Sequence, residues 1–190
     1  MPEGGHVSIP RNGFCSPELG DSLALSLIAM TTMKKTAGLI VSFIGCFVAA
    51  GIGAMATQRA PEFYAALSRP SWAPPSSLFG PVWTMLYTLM AIAAWLVWMK
   101  KGTAGVRGAL TLFGIQLLLN ALWSWIFFAW QRGVMAQVEI VTLLILIFAT
   151  VIAFWRVRPL AGMLLLPYLG WVAYATALTF ALVQRNPGAL

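Results

Sequence analysis

Aromatic side chains dominate the chemistry open to this chain. It carries nine tryptophans, eleven phenylalanines and four tyrosines in 190 residues, against one histidine and two cysteines. Flat rings stack on flat conjugated molecules, adding about 0.5–1.5 kcal/mol per ring pair beyond simple burial. Hydrolytic chemistry has little to work with: the sequence holds no Ser-His-Asp, Cys-His or paired-carboxylate arrangement. A metal or a histidine-ligated haem is not expected, because His6 and Cys15 lie in the first residues and Cys46 stands apart from both. The same separation argues against a disulfide. The densest aromatic stretch is RPSWAPPSSLFGPVWTMLY, from Arg69 to Tyr87, with four prolines, two tryptophans and a tyrosine.

These rings must be positioned by something, and composition says what. Hydrophobic residues make up 60% of the chain and charged residues 9%, with a mean hydropathy of +0.83. A soluble domain of this length needs more charge to cover its surface. Five apolar runs reach membrane-spanning length, at about 36–56, 81–99, 108–130, 134–155 and 160–183. Backbone groups in hydrocarbon must be satisfied within the segment, so each run is expected to be helical, and the alternating pattern of a β-barrel is absent. The expected fold is an all-α membrane protein, a five-helix bundle over residues 34–190. Residues 1–33, rich in Gly, Pro and Ser, read as a weakly ordered tail or as a start upstream of the natural one near Met30–Met33. No signal peptide fits the opening Pro2-Glu3-Gly4-Gly5.

The net charge of +7 is scattered rather than clustered, which excludes a nucleic-acid footprint and suits headgroup contacts at helix ends. Eight basic residues fall on the side of the N-terminus and four on the other (Arg59, Arg69, Arg132 and Arg185). That bias puts the N-terminus in the cytoplasm and the chain in a bacterial inner membrane, with an outer membrane as the alternative. Trp98, Trp130 and Trp155, near helix ends, read as interfacial anchors. Glu139, the carboxylate inside a span, lies about one turn into it and is expected to snorkel to the headgroups rather than relay protons.

Spacing then selects the inward faces. Trp83, Tyr87, Ala91 and Ala94 share one stripe of the second span. Gln116, Asn120, Trp123 and Phe127 share one on the third, where a mid-membrane amide must face the bundle interior. Pro167, Trp171, Ala175 and Thr179 make a stripe on the fifth, with Pro167 placed to kink it. Gly45, Ala49 and Gly53 form a small-residue face on the first, suited to close helix packing. The first loop, 57–80, is too long for a plain connector, and Pro70, Pro74 and Pro75 stiffen it. It reads as a lid over a small-molecule pocket.

These motifs resemble the TspO/MBR family, the tryptophan-rich sensory proteins. RPSWAPPSSLFGPVWTMLY is similar to the family's first-loop signature, QLLLNALWSWIFF (Gln116–Phe128) to its third-helix motif and LPYLGWVAYATALTFALVQRN (Leu166–Asn186) to its fifth. The resemblance implies a five-helix homodimer that binds porphyrins such as protoporphyrin IX as ligand, with no cofactor required. It implies regulation of tetrapyrrole metabolism or stress responses, with ligand transport or light-dependent porphyrin breakdown as alternatives. It places Tyr64, Trp72, Trp83, Asn120, Trp171 and Ala175 at the ligand. Beside them, Tyr87 would orient polar edges with Asn120, Trp123 would extend the wall, and Arg69 would meet porphyrin propionates. Any catalysis would have to run through Trp83 and Trp171. The chain departs from the family at Phe63-Tyr64, Trp72-Ala73-Pro74-Pro75 and Leu178-Thr179, where Trp-Tyr, Trp-Asn-Pro-Pro and Leu-Asn are common. A sterol is not an expected partner, because Phe180 stands where the sterol pattern needs tyrosine.

Overall fold

A computed structural model describes residues 17–190, with side chains described from residue 30. The chain divides into Met1–Lys35, whose described backbone is helical from Pro17, and Thr36–Leu190, which holds the features described below. His6, Cys15 and the first half of the sequence-defined tail lie outside the described residues.

Seven α-helices follow in order: α1 (Pro17–Ala56), α2 (Ala60–Ala66), α3 (Phe79–Trp98), α4 (Val106–Ser124), α5 (Gly133–Val157), α6 (Pro159–Leu164) and α7 (Leu166–Arg185). Among the described residues five stretches are long and apolar enough to cross a membrane: Met30–Ala56, Ser76–Trp98, Val106–Ala129, Gly133–Val157 and Pro159–Arg185. They are the five expected spans, with ends displaced by up to six residues. Hydrocarbon leaves the backbone no partner but itself, which is why each span is closed by its own hydrogen bonds.

Three local departures from straight helix shape the interior. Beyond Ser124, α4 widens into a π-helical turn over Trp125–Ala129. There the Trp130 N–H donates to the Trp125 carbonyl at 2.8 Å and the Arg132 N–H to the Ile126 carbonyl at 3.0 Å. Such turns rotate side chains out of the ordinary helical register. Gly133 then opens α5 where a Cβ would stand 2.7 Å from the Leu190 Cβ, so only glycine lets the C-terminus pack there. In the fifth span the break falls at Leu165, two residues ahead of Pro167. The Leu165 N–H reaches back only to Gly162, at 3.1 Å, and α7 starts anew with Pro167 in its first turn, where its missing N–H costs nothing.

The expected long loop is more structured than a loop. It holds α2, opened by Pro61, and a 3-10 turn over Ser76–Leu78 that leads directly into α3. Long-range hydrogen bonds strap it to α7. The Ser68 N–H donates to Asn186 Oδ1 at 2.8 Å, Asn186 Nδ2 returns to the Ser68 carbonyl at 3.1 Å, and the Tyr174 hydroxyl donates to the Trp72 carbonyl at 2.9 Å. The small-residue face of α1 also differs from expectation. Cys46, Ala49, Gly53 and Ala56 are buried, whereas a Cβ on Gly45 would meet nothing within 4 Å. Gly53 faces Ser124, and the Trp125 indole donates to the Ile52 carbonyl at 3.1 Å.

Candidate functional site

α1, α3, α4 and α7 enclose a cavity of about 540 Å³ beneath α2, within the 300–1,000 Å³ usual for small-molecule sites. Its walls are aromatic. Trp83 comes from the second turn of α3 and Trp171 from the second turn of α7. Trp83 leans on Tyr87, with centroids 5.6 Å apart, and Trp171 meets Phe79 edge-on at 6.1 Å. On α4, Trp123 stacks on Phe127 at 5.2 Å and 8°, an alignment made possible by the π-helical turn that carries Phe127.

The polar part is a single chain of hydrogen bonds across three helices. The Tyr87 hydroxyl donates to Asn120 Oδ1 at 2.6 Å, Asn120 Nδ2 donates to the Tyr168 hydroxyl at 2.9 Å, and that hydroxyl donates to Gln116 Oε1 at 2.8 Å. All four residues are buried. Tyr87 and Asn120 also line the cavity, so the chain has one end at the cavity wall and the other deep between α4 and α7. Buried amides in apolar surroundings are costly unless paired, and each amide here supports the next. Trp123 also lines the cavity, and its indole N–H is buried without a protein partner.

Of the residues singled out from sequence, Tyr64, Trp83, Tyr87, Asn120, Trp123, Trp171 and Ala175 line this one cavity. Arg69 and Trp72 do not. The Arg69 guanidinium sits over the Tyr64 ring at 5.0 Å, and Trp72 is 48% exposed, its ring edge-on to Tyr174 at 5.7 Å. Both belong to the outer layer of the lid. Sequence reasoning passed over Phe47 and Gly51 of α1 and over Phe79 and Phe128, which also line the cavity. The spacing of Trp171, Ala175 and Thr179 did contain Thr179, which lines it as well. Phe47 carried no signal, because the small residues drew the reading of α1 to another face.

Glu139 corrects an expectation. Its carboxylate does not reach the headgroups: both oxygens are buried and without a hydrogen-bond partner. α5 packs against α4 and α7, and the Glu139 carboxylate is turned in among them rather than out to its helix end.

Tyr64 holds the lid. Its ring is buried edge-on against Phe79 at 5.5 Å, and its hydroxyl donates to the Pro74 carbonyl at 3.1 Å. Burial pushes the phenol above its ordinary range, with Arg69 pulling the other way. The folded pKa is therefore raised, so the stabilisation is complete below about pH 10 and is lost as pH rises through the folded value. Tyr64→Phe is expected to lose one hydrogen bond, about 0.5–1.5 kcal/mol. Hydrogen exchange should read it as severalfold faster exchange at Ala73 and Leu78, with the bundle amides unchanged. The alkaline loss of lid protection should be weaker in the variant than in the natural chain.

Five spanning helices, a strapped first loop and an aromatic cavity with an amide chain at its wall define a multi-pass integral membrane protein. The TspO/MBR family model matches residues 23–185, and the chain belongs to that family. It is 40% identical over 161 residues to the tryptophan-rich protein TspO of Chlorobaculum tepidum, covering 82% of this chain and all of that one. It is 37% identical over 150 residues to protein CrtK of Rhodobacter capsulatus, covering 78% and 92%. With the human translocator protein it shares 37% over 147 residues, covering 76% and 85%.

Proposed function

We propose that this protein is a membrane-embedded receptor or sensor that takes a porphyrin-like tetrapyrrole into the cavity under the lid. The observation that carries the reading is the pairing of Trp83 and Trp171 on the walls of one cavity with Tyr87 and Asn120 at the same surface. Large flat apolar faces meet the indoles, and a few polar edges meet the Asn120 amide and Tyr87 hydroxyl. The acid groups of such a ligand would lie toward the lid, where Arg69 is the nearby cation. Relatives named tryptophan-rich sensory protein and translocator protein support the same class. The setting that goes with this reading is the inner membrane, with the N-terminus cytoplasmic and two copies paired. The exposed apolar face of α1, with Val41, Ile44 and Val48, is open to lipid or to the second copy.

The test is titration of the purified protein with protoporphyrin IX in darkness, followed by tryptophan fluorescence. Saturable quenching with a Kd near the micromolar range, about −8 kcal/mol, is the expected result. Quenching that rises linearly with ligand and never saturates would withdraw the reading. Flux into protein-bearing vesicles would assign transport instead, and loss of porphyrin that requires light and oxygen would assign catalysis.

A further inference from the structure

Three buried side chains keep a polar atom without a hydrogen-bond partner: Gln116, Trp123 and Glu139. Gln116 is 1% exposed and its Nε2 donates to nothing, while both Glu139 oxygens are buried and accept nothing. Gln116 stands on α4 and Glu139 on α5, helices that pack side by side as an antiparallel hairpin. Tyr168 of α7 joins the two: its hydroxyl donates to Gln116 Oε1 at 2.8 Å, and it lies within electrostatic reach of Glu139. An ionised carboxylate inside a membrane, with neither cation nor donor, is among the costliest arrangements a protein can hold. Taking up a proton removes the charge and supplies an O–H donor, while the remaining carbonyl oxygen stays free to accept from an amide such as that of Gln116.

We infer that Glu139 is a proton-binding site inside the bundle, whose charge is felt at Tyr168 and so by the hydrogen-bond chain that runs through Asn120 to Tyr87 at the cavity wall. The chain is polarised in one direction, each hydroxyl or amide donating toward Gln116. A charge on Glu139 would act on the Tyr168 hydroxyl, and the change would pass through Asn120 to the Tyr87 hydroxyl at the cavity wall. The titratable group within electrostatic reach of Glu139 from the packed helices is Tyr168 of α7, which Tyr87 of α3 and Cys46 of α1 also reach. The cations of the packed elements stand toward their ends: Arg107 in the first turn of α4, Arg132 just before α5, Arg156 in its last turn and Arg185 closing α7. The π-helical turn and α6 carry no charged residue, so the cost of an ionised Glu139 is not offset locally. The proton site rests on these buried groups alone and does not require the tetrapyrrole reading.

Infrared difference spectroscopy of the full chain in lipid vesicles tests this, following the carboxylic-acid C=O stretch at neutral pH. The expected result is a band from a protonated buried acid that disappears in Glu139→Gln. It should be displaced but retained in Glu139→Asp, which keeps an acid should the amide variant fold poorly. Tyr168→Phe, which breaks the chain midway, should shift the band. Absence of the band, or its persistence in Glu139→Gln, would overturn the proton site. A band unmoved by Tyr168→Phe would overturn the link to the cavity. Protoporphyrin IX added in darkness should shift the band too, and a shift without saturable tryptophan quenching would separate the proton site from the proposed function.

Discussion

Asn120→Leu is expected to destabilise the bundle by about 1–3 kcal/mol, the largest stability loss from a single change in the cavity wall. Asn120 is the middle of the polar chain, accepting from Tyr87 at 2.6 Å and donating to Tyr168 at 2.9 Å. Leucine keeps the volume and removes both contacts. Tyr168 keeps Gln116 as its acceptor, so its loss is partial. Tyr87 is 6% exposed and keeps none of its side-chain bonding, so its hydroxyl bears most of the cost. Single hydrogen bonds between membrane helices average near 0.6 kcal/mol, which sets the lower end of the range for two of them. The double variant Asn120→Leu/Tyr87→Phe should recover part of the loss, because it removes the stranded hydroxyl as well. Denaturant or thermal midpoints in one detergent would read both. An Asn120→Leu midpoint equal to that of the natural chain would mean that the chain contributes nothing to folding.

Much of this arrangement was legible from periodicity. Trp83 and Tyr87 at a spacing of four, Gln116 and Asn120 at four, and Trp171 and Ala175 at four each proclaim one helix face, and apolar spans have one polar way to turn, inward. Those six residues therefore came out correctly placed, five of them on the cavity and Gln116 just behind it. What failed to show had no local signature. The π-helical turn at Trp125–Ala129 shifts the register that an ordinary helix would give to Phe127 and Phe128. The straps from Ser68 to Asn186 and from Trp72 to Tyr174 join residues more than a hundred positions apart, so no window of sequence contains them. Because Arg69 and Trp72 follow those straps, their motif gave their loop but not their layer. Glu139 was misread for a related reason: distance from the helix end can be judged from the sequence, but which way the side chain turns depends on how α5 packs against α4 and α7.

Binding depends on a different set of residues. Replacing Trp83 and Trp171 together by phenylalanine keeps two apolar rings on the cavity and removes most of the flat area they offer. Each stacked pair is worth about 0.5–1.5 kcal/mol beyond burial, so the pair of changes should weaken binding by about 1–3 kcal/mol, roughly five- to a hundredfold in Kd. The fold should tolerate the change, since both rings are only partly buried and contact their aromatic neighbours through edges and tilted faces.

The titration that compares protoporphyrin IX binding by the natural chain and by Trp83→Phe/Trp171→Phe, in darkness and at matched detergent, therefore addresses the aromatic cavity most directly. Because the variant has lost two of the reporting indoles, porphyrin emission on binding should be followed beside the remaining tryptophan signal. Saturable binding by the natural chain that is lost or much weakened in the variant is the predicted result. Equal binding by the two would contradict it, and would mean that the macrocycle sits elsewhere or dissolves in the detergent rather than between Trp83 and Trp171.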